Sequence, residues 1–133
     1  MDGPDLAFID RALAQAFDRY TIDPSKVAIA GFCHGASYAL SAGLTNGDLF
    51  THVIASSPNH MAPKVHLGRV RLFISHGKND KFRSENSSRE IVAQLQQAGY
   101  EVLYHPFNRS HTVPEAIVRK ALDWFTASSP TET

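Results

Sequence analysis

The sequence predicts an α/β fold: a parallel sheet of about four strands covered by helices on both faces. Three observations predict it. Four short apolar runs recur, and the first, Val27-Ala28-Ile29-Ala30, is apolar on both faces, as parallel strands covered by helices are. The segments between them repeat their apolar residues at helical spacing. Gly, Pro, Asn and Asp mark the junctions. Strand–helix alternation of this kind closes through right-handed crossovers.

The elements follow in order. Leu6, Ile9, Leu13, Phe17 and Tyr20 form one helical stripe, with Pro4 placed for the first turn. Ile22-Asp23-Pro24-Ser25 is a turn, and Val27-Ala28-Ile29-Ala30 a buried strand. A small-residue helix from Ala36 to Leu44 stops at the Asn46-Gly47 turn signal. Val53-Ile54-Ala55 makes a second strand and the run from Val70 to Ser75 a third. A helix from about Asn86 to Ala98 buries Ile91, Val92 and Leu95 and ends at Gly99. Glu101-Val102-Leu103-Tyr104 is the fourth strand. The last helix starts at Thr112-Val113-Pro114-Glu115, which has capping-box form, and buries Ile117, Val118, Ala121, Leu122 and Phe125. Residues 1–127 thus make a single domain, and 128–133 a flexible tail.

Ligands of such sheets bind at the carboxyl ends of the strands. After the first strand comes Gly31-Phe32-Cys33-His34-Gly35, then a helix. A nucleophile on a sharp strand-to-helix turn needs small residues two before and two after it, which accounts for Gly31 and Gly35. The turn aims the N–H of His34 and the positive helix end at the reacting atom. Ser75-His76-Gly77-Lys78-Asn79-Asp80 follows the third strand, and Asn108-Arg109-Ser110-His111 the fourth. The order nucleophile, acid, histidine predicts a triad: Cys33 attacks, His111 takes its proton and Asp80 orients the ring.

These motifs resemble the C-terminal part of the α/β-hydrolase superfamily, nearest to its phospholipase/carboxylesterase branch. The resemblance runs from about Asp5 to Phe125 and includes Ser56-Ser57-Pro58 and Ser110-His111-Thr112-Val113-Pro114. It implies Cys33 as nucleophile, Asp80 as acid and His111 as base. The substrates implied are small carboxylic esters and thioesters, cleaved through a thioacyl-enzyme, with no cofactor and no metal. His34 would furnish the oxyanion hole, and Phe32 and His60 would line the substrate pocket.

The chain departs from that branch in two ways. Cys33 stands where the branch has Ser. Dienelactone hydrolases also use Cys there, and an engineered Ser→Cys variant would read the same. The branch's N-terminal strands and its oxyanion loop have no counterpart in the sequence, so a single donor serves the hole. Losing one donor costs about 10²–10³ in rate. The alternative to an enzyme is therefore a truncated or engineered scaffold with little or no turnover.

Composition narrows the partners. In 133 residues, thirteen basic side chains balance thirteen acidic ones, which leaves no field to attract nucleic acid or anionic lipid. No apolar run is long enough to span a membrane. One cysteine and no leader pattern suit the cytoplasm. Residues 27–32 carry neither charge nor proline, so an unpaired edge there would favour a homodimer.

Overall fold

A computed structural model describes residues 26–63 and 65–127. Four strands form one sheet in the order β1 (Ala28–Phe32), β2 (His52–Ser56), β3 (Arg71–Gly77) and β4 (Val102–Phe107). All three pairings are parallel, with Ala30 opposite Ile54, Ile54 opposite Phe73 and Phe73 opposite Leu103. Three helices connect or follow them: α1 (His34–Thr45), α2 (Glu85–Gln97) and α3 (Glu115–Ala127). The stripe at residues 6–20 and the tail at 128–133 lie outside the described residues.

Strand alternation divides the core between the two faces. Val53, Ala55, Leu72 and Ile74 point toward α1 and α2, where they meet Leu40, Leu44, Ile91 and Leu95. Phe73 and Ile54 point the other way and pack with Ile117, Ala121 and Trp124 of α3. The second layer is thinner than its sequence predicts. Ile117 and Ala121 are buried, but Val118 and Leu122 are 43% and 53% exposed. These two side chains wall an apolar cleft of about 350 Å³ together with Phe32, Phe73 and Val113.

The expected Thr112–Glu115 capping box does not form. The first turn of α3 is closed by the Pro114 carbonyl, which accepts from the N–H groups of Ile117 and Val118. The chain therefore enters the helix two residues after Thr112. At α2 the cap is regular, with the Ser84 hydroxyl accepting from the Asn86 N–H.

Two close approaches bring the loops at the carboxyl ends together. A Cβ on Gly31 would lie 2.2 Å from the Gly35 oxygen, so only glycine lets β1 turn into α1 here. A Cβ on Gly77 would lie 2.1 Å from the Ser110 oxygen. That contact sets the loop after β4 directly against the loop after β3.

Candidate functional site

Three loops meet above the carboxyl ends of the strands. In the first, Cys33 joins β1 to α1 at φ 62°, a left-handed backbone that costs free energy for a residue with a Cβ. Its N–H donates to Ser56 O at 2.9 Å, and its carbonyl accepts from Ala36 and Ser37. No side chain caps α1, so the positive end of the helix opens beside the thiol.

The second loop is organised by Asp80, whose side chain is fully buried. Oδ1 accepts from the N–H groups of Phe82 and Arg83, each at 2.9 Å. Oδ2 accepts from His111 Nδ1 at 2.7 Å and lies 3.2 Å from His76 Nε2. Burial pushes the carboxyl pKa up, but the His111 hydrogen bond and the two backbone donors outweigh it and hold it below its ordinary value. His76 is buried beneath this loop, with Nε2 2.8 Å from the Arg83 carbonyl and Nδ1 2.6 Å from Ser88 Oγ. The carbonyl can only accept, so Nε2 carries the proton.

His111, on the third loop, is anchored by Asp80. The hydrogen bond to that carboxylate raises its pKa against the opposing effect of burial, with a smaller contribution from the thiol. Its ring also packs 4.7 Å from Phe32 and 5.5 Å from Phe82.

The residue that sequence reasoning missed is Arg83. Its Nε donates to Cys33 Sγ at 3.0 Å, and its Nη2 lies 3.0 Å from Nδ1 of the exposed His34 ring. Nη1 is buried without a hydrogen-bond partner. Burial pushes the Cys33 pKa up, but the Arg83 hydrogen bond, then His111 and the His34 N–H, pull it below the ordinary thiol value.

This arrangement corrects the expected mechanism. A guanidinium carries no free lone pair, so the group bonded to the thiol cannot act as its base. His111 is close enough to influence the thiol, yet no hydrogen bond of ordinary geometry joins its ring to Sγ among the described residues. The bond His111 does make runs to Asp80. Cys33 stands apart from the Asp80–His111 pair, and the Cys33–His111–Asp80 triad is not assembled. The cysteine-nucleophile esterase and its thioacyl-enzyme fall with it.

The remaining expected site residues are placed as follows. Phe32 is 39% exposed and borders the apolar cleft. His60 is exposed, with Nδ1 2.9 Å from the Oδ1 of its neighbour Asn59. Cys33, His34, Asn59, Phe82, Arg83, Ser84, Ser87 and His111 line a polar cleft of about 530 Å³. Among the described residues, no three His, Cys, Asp or Glu side chains are grouped to hold a metal ion. No helix among them is long and apolar enough to cross a membrane.

No family model and no curated protein matches the chain. Solved structures do. A carboxylesterase from Bacillus cereus is 26% identical with a TM-score of 0.76, over 95% of this chain and 63% of that one. Esterase PE8 is 22% identical with a TM-score of 0.78, over 89% and 57%. SOBER1 of Arabidopsis thaliana is 17% identical with a TM-score of 0.75, over 90% and 59%. The fold is that of the α/β-hydrolase esterases, and the chain spans about three fifths of their length.

Proposed function

We propose that this chain is an esterase-fold scaffold with little or no ester turnover, whose polar cleft binds a small molecule without cleaving it. The observation that carries this reading is the Arg83 Nε–Cys33 Sγ hydrogen bond at 3.0 Å. It gives the thiol a donor where catalysis needs an acceptor. Asp80 then serves to hold the loop and the His111 ring, and Cys33, His34 and His111 serve as walls of the cleft.

p-Nitrophenyl acetate tests the reading. Steady-state release is expected not to exceed that of the same concentration of free imidazole, and to be unchanged in His111→Ala. Multiple turnover that collapses in both Cys33→Ala and His111→Ala would overturn it.

Two further expectations belong to this reading. The single thiol suits a reducing cytoplasm. The outer side of β1 meets no strand among the described residues, and its sequence lacks the charges and prolines that protect an edge. A second copy pairing antiparallel there would close a two-fold dimer. Sedimentation at micromolar concentration should show the dimer, and Ile29→Lys should shift it to monomer. A parent protein that sediments as a monomer would end the idea.

A further inference from the structure

We propose that the polar cleft is a binding site for a small organic monocarboxylate, held by the fork of Arg83 Nη1 and Nη2 beside His111. The inference rests on the reading of this cleft as a binding site.

Arg83 is a cation without a carboxylate partner among the described residues. Both oxygens of Asp80 are committed, one to backbone N–H groups and one to His111. Glu85 accepts from Arg89 Nε and from the Tyr104 hydroxyl through the same oxygen. The ion pairs among the described residues leave Arg83 out. A guanidinium in such a position is only partly compensated, and its unpaired Nη1 carries a desolvation cost.

The present partners of Arg83 are easily exchanged. Nη2 lies against the ring of His34, which is exposed to solvent. Nη1 has no bond to lose. Displacing that ring opens Nη2 to one carboxylate oxygen, and a small shift of the guanidinium would bring the buried, unpartnered Nη1 to the other, the side-by-side geometry of a guanidinium–carboxylate pair.

Charge selects the valence of the ligand. Among the described residues lining the cleft Arg83 carries the only permanent charge, and a protonated His111 is balanced by Asp80 beneath it. While Cys33 remains a neutral thiol the surplus is one positive charge, reinforced by the open N-terminus of α1. That fits a monoanion better than a doubly charged phosphate or sulfate. The 84%-exposed ring of Phe82 at the rim, together with a cleft of about 530 Å³, suits a short apolar body behind the carboxylate.

Butyrate is the probe, with butyramide and sulfate as controls, followed by NMR on the Arg83 Nε–H and the His34 and His111 rings. Butyrate should shift these resonances saturably and slow the alkylation of Cys33 by iodoacetamide, while butyramide does neither. Arg83→Lys keeps the charge but loses the fork, and should weaken butyrate at least about tenfold. His34→Ala removes the competing ring and should leave affinity equal or tighter. The proposal is overturned by butyramide binding as well as butyrate, by sulfate binding more tightly, by Arg83→Lys binding unchanged, or by no saturable shift. Ester turnover in the assay above would defeat the scaffold reading alone; the Arg83→Lys comparison would still decide the anion site.

Discussion

Asp80→Ala is expected to destabilise the fold by about 3–5 kcal/mol, the range for removing one partner of a buried ion pair. The carboxylate is fully buried and holds four groups: two backbone N–H donors, His111 and, at longer range, His76. The alanine variant leaves those donors without their acceptor. Asp80→Asn keeps an acceptor for Phe82 and Arg83 and loses the charge facing His111, so it should cost only about 1–3 kcal/mol. Because Oδ1 fixes the backbone of Arg83, the alanine variant should also release the guanidinium from Sγ. The thiol pKa would then rise toward its ordinary value. Urea denaturation gives the stability, and the pH dependence of iodoacetamide labelling gives the thiol pKa. A loss below about 1 kcal/mol with an unmoved thiol would show that the loop is held by something else.

The pair has a defined pH window. The Asp80 pKa is depressed in the fold, so its contribution is present above the ordinary value of 3.8 and is lost as pH falls through the folded value. The His111 pKa is raised, so its contribution is complete below 6.5 and is lost as pH rises through the folded value. Together they stabilise most between those limits.

The sheet was legible because its inner strands, β2 and β3, are buried on both faces, and such runs are mostly apolar. Their ends were not. β3 continues to Gly77 and β4 to Phe107, through polar or proline residues that carry no strand signal. Pro106 is tolerated because, among the described residues, β4 pairs on one side only, with His76 opposite it. The stripe of α3 misled for a different reason. Helical spacing says which residues share a face, but only tertiary packing says how wide the covered part of that face is. Here it stops short of Val118 and Leu122.

The site was legible as a gathering of loops and illegible as a set of bonds. Chain order correctly placed Cys33, Asp80 and His111 beyond different strands, and the Asp80–His111 bond followed from it. What chain order cannot convey is the group that reaches the thiol first. Arg83 sits in Lys81-Phe82-Arg83-Ser84, a stretch with no periodicity and an unremarkable charge. Its direction is fixed by Asp80 Oδ1 clamping the N–H groups of residues 82 and 83, a tertiary constraint. A basic residue three positions after the acid was the one available signal.

Acid sensitivity of the fold is expected to come largely from His52, and His52→Phe should remove it. This ring is 4% exposed on the α3 side of the sheet, edge-on to Trp124 at 5.1 Å and Phe125 at 4.8 Å. Its Nδ1 meets Thr51 Oγ1 at 2.7 Å, while Nε2 is buried without a partner. Burial, then the charges of Arg71 and Lys26, lower its pKa from 6.5 to about 4. The folded state thus resists a proton that the unfolded chain accepts below 6.5. Stability is complete above that value and falls as pH drops to about 4, by up to ~3 kcal/mol for this one group. Phenylalanine cannot be protonated and strands no ring nitrogen. Thr51 keeps its hydroxyl satisfied, accepting from Val27 N–H and donating to Val27 O. Phenyl is somewhat larger than imidazole, so the variant should lose about 1 kcal/mol relative to the parent near pH 7.5, the low end for adding a methylene's volume to a packed site. Below pH 6 it should become the more stable of the two, and His105, whose pKa burial also lowers, would leave a shallower residual slope. Urea midpoints at pH 7.5, 6, 5 and 4.5 decide the matter. If the two proteins lose stability in parallel, His52 takes up its proton inside the fold at no cost, and the acid sensitivity must be assigned elsewhere.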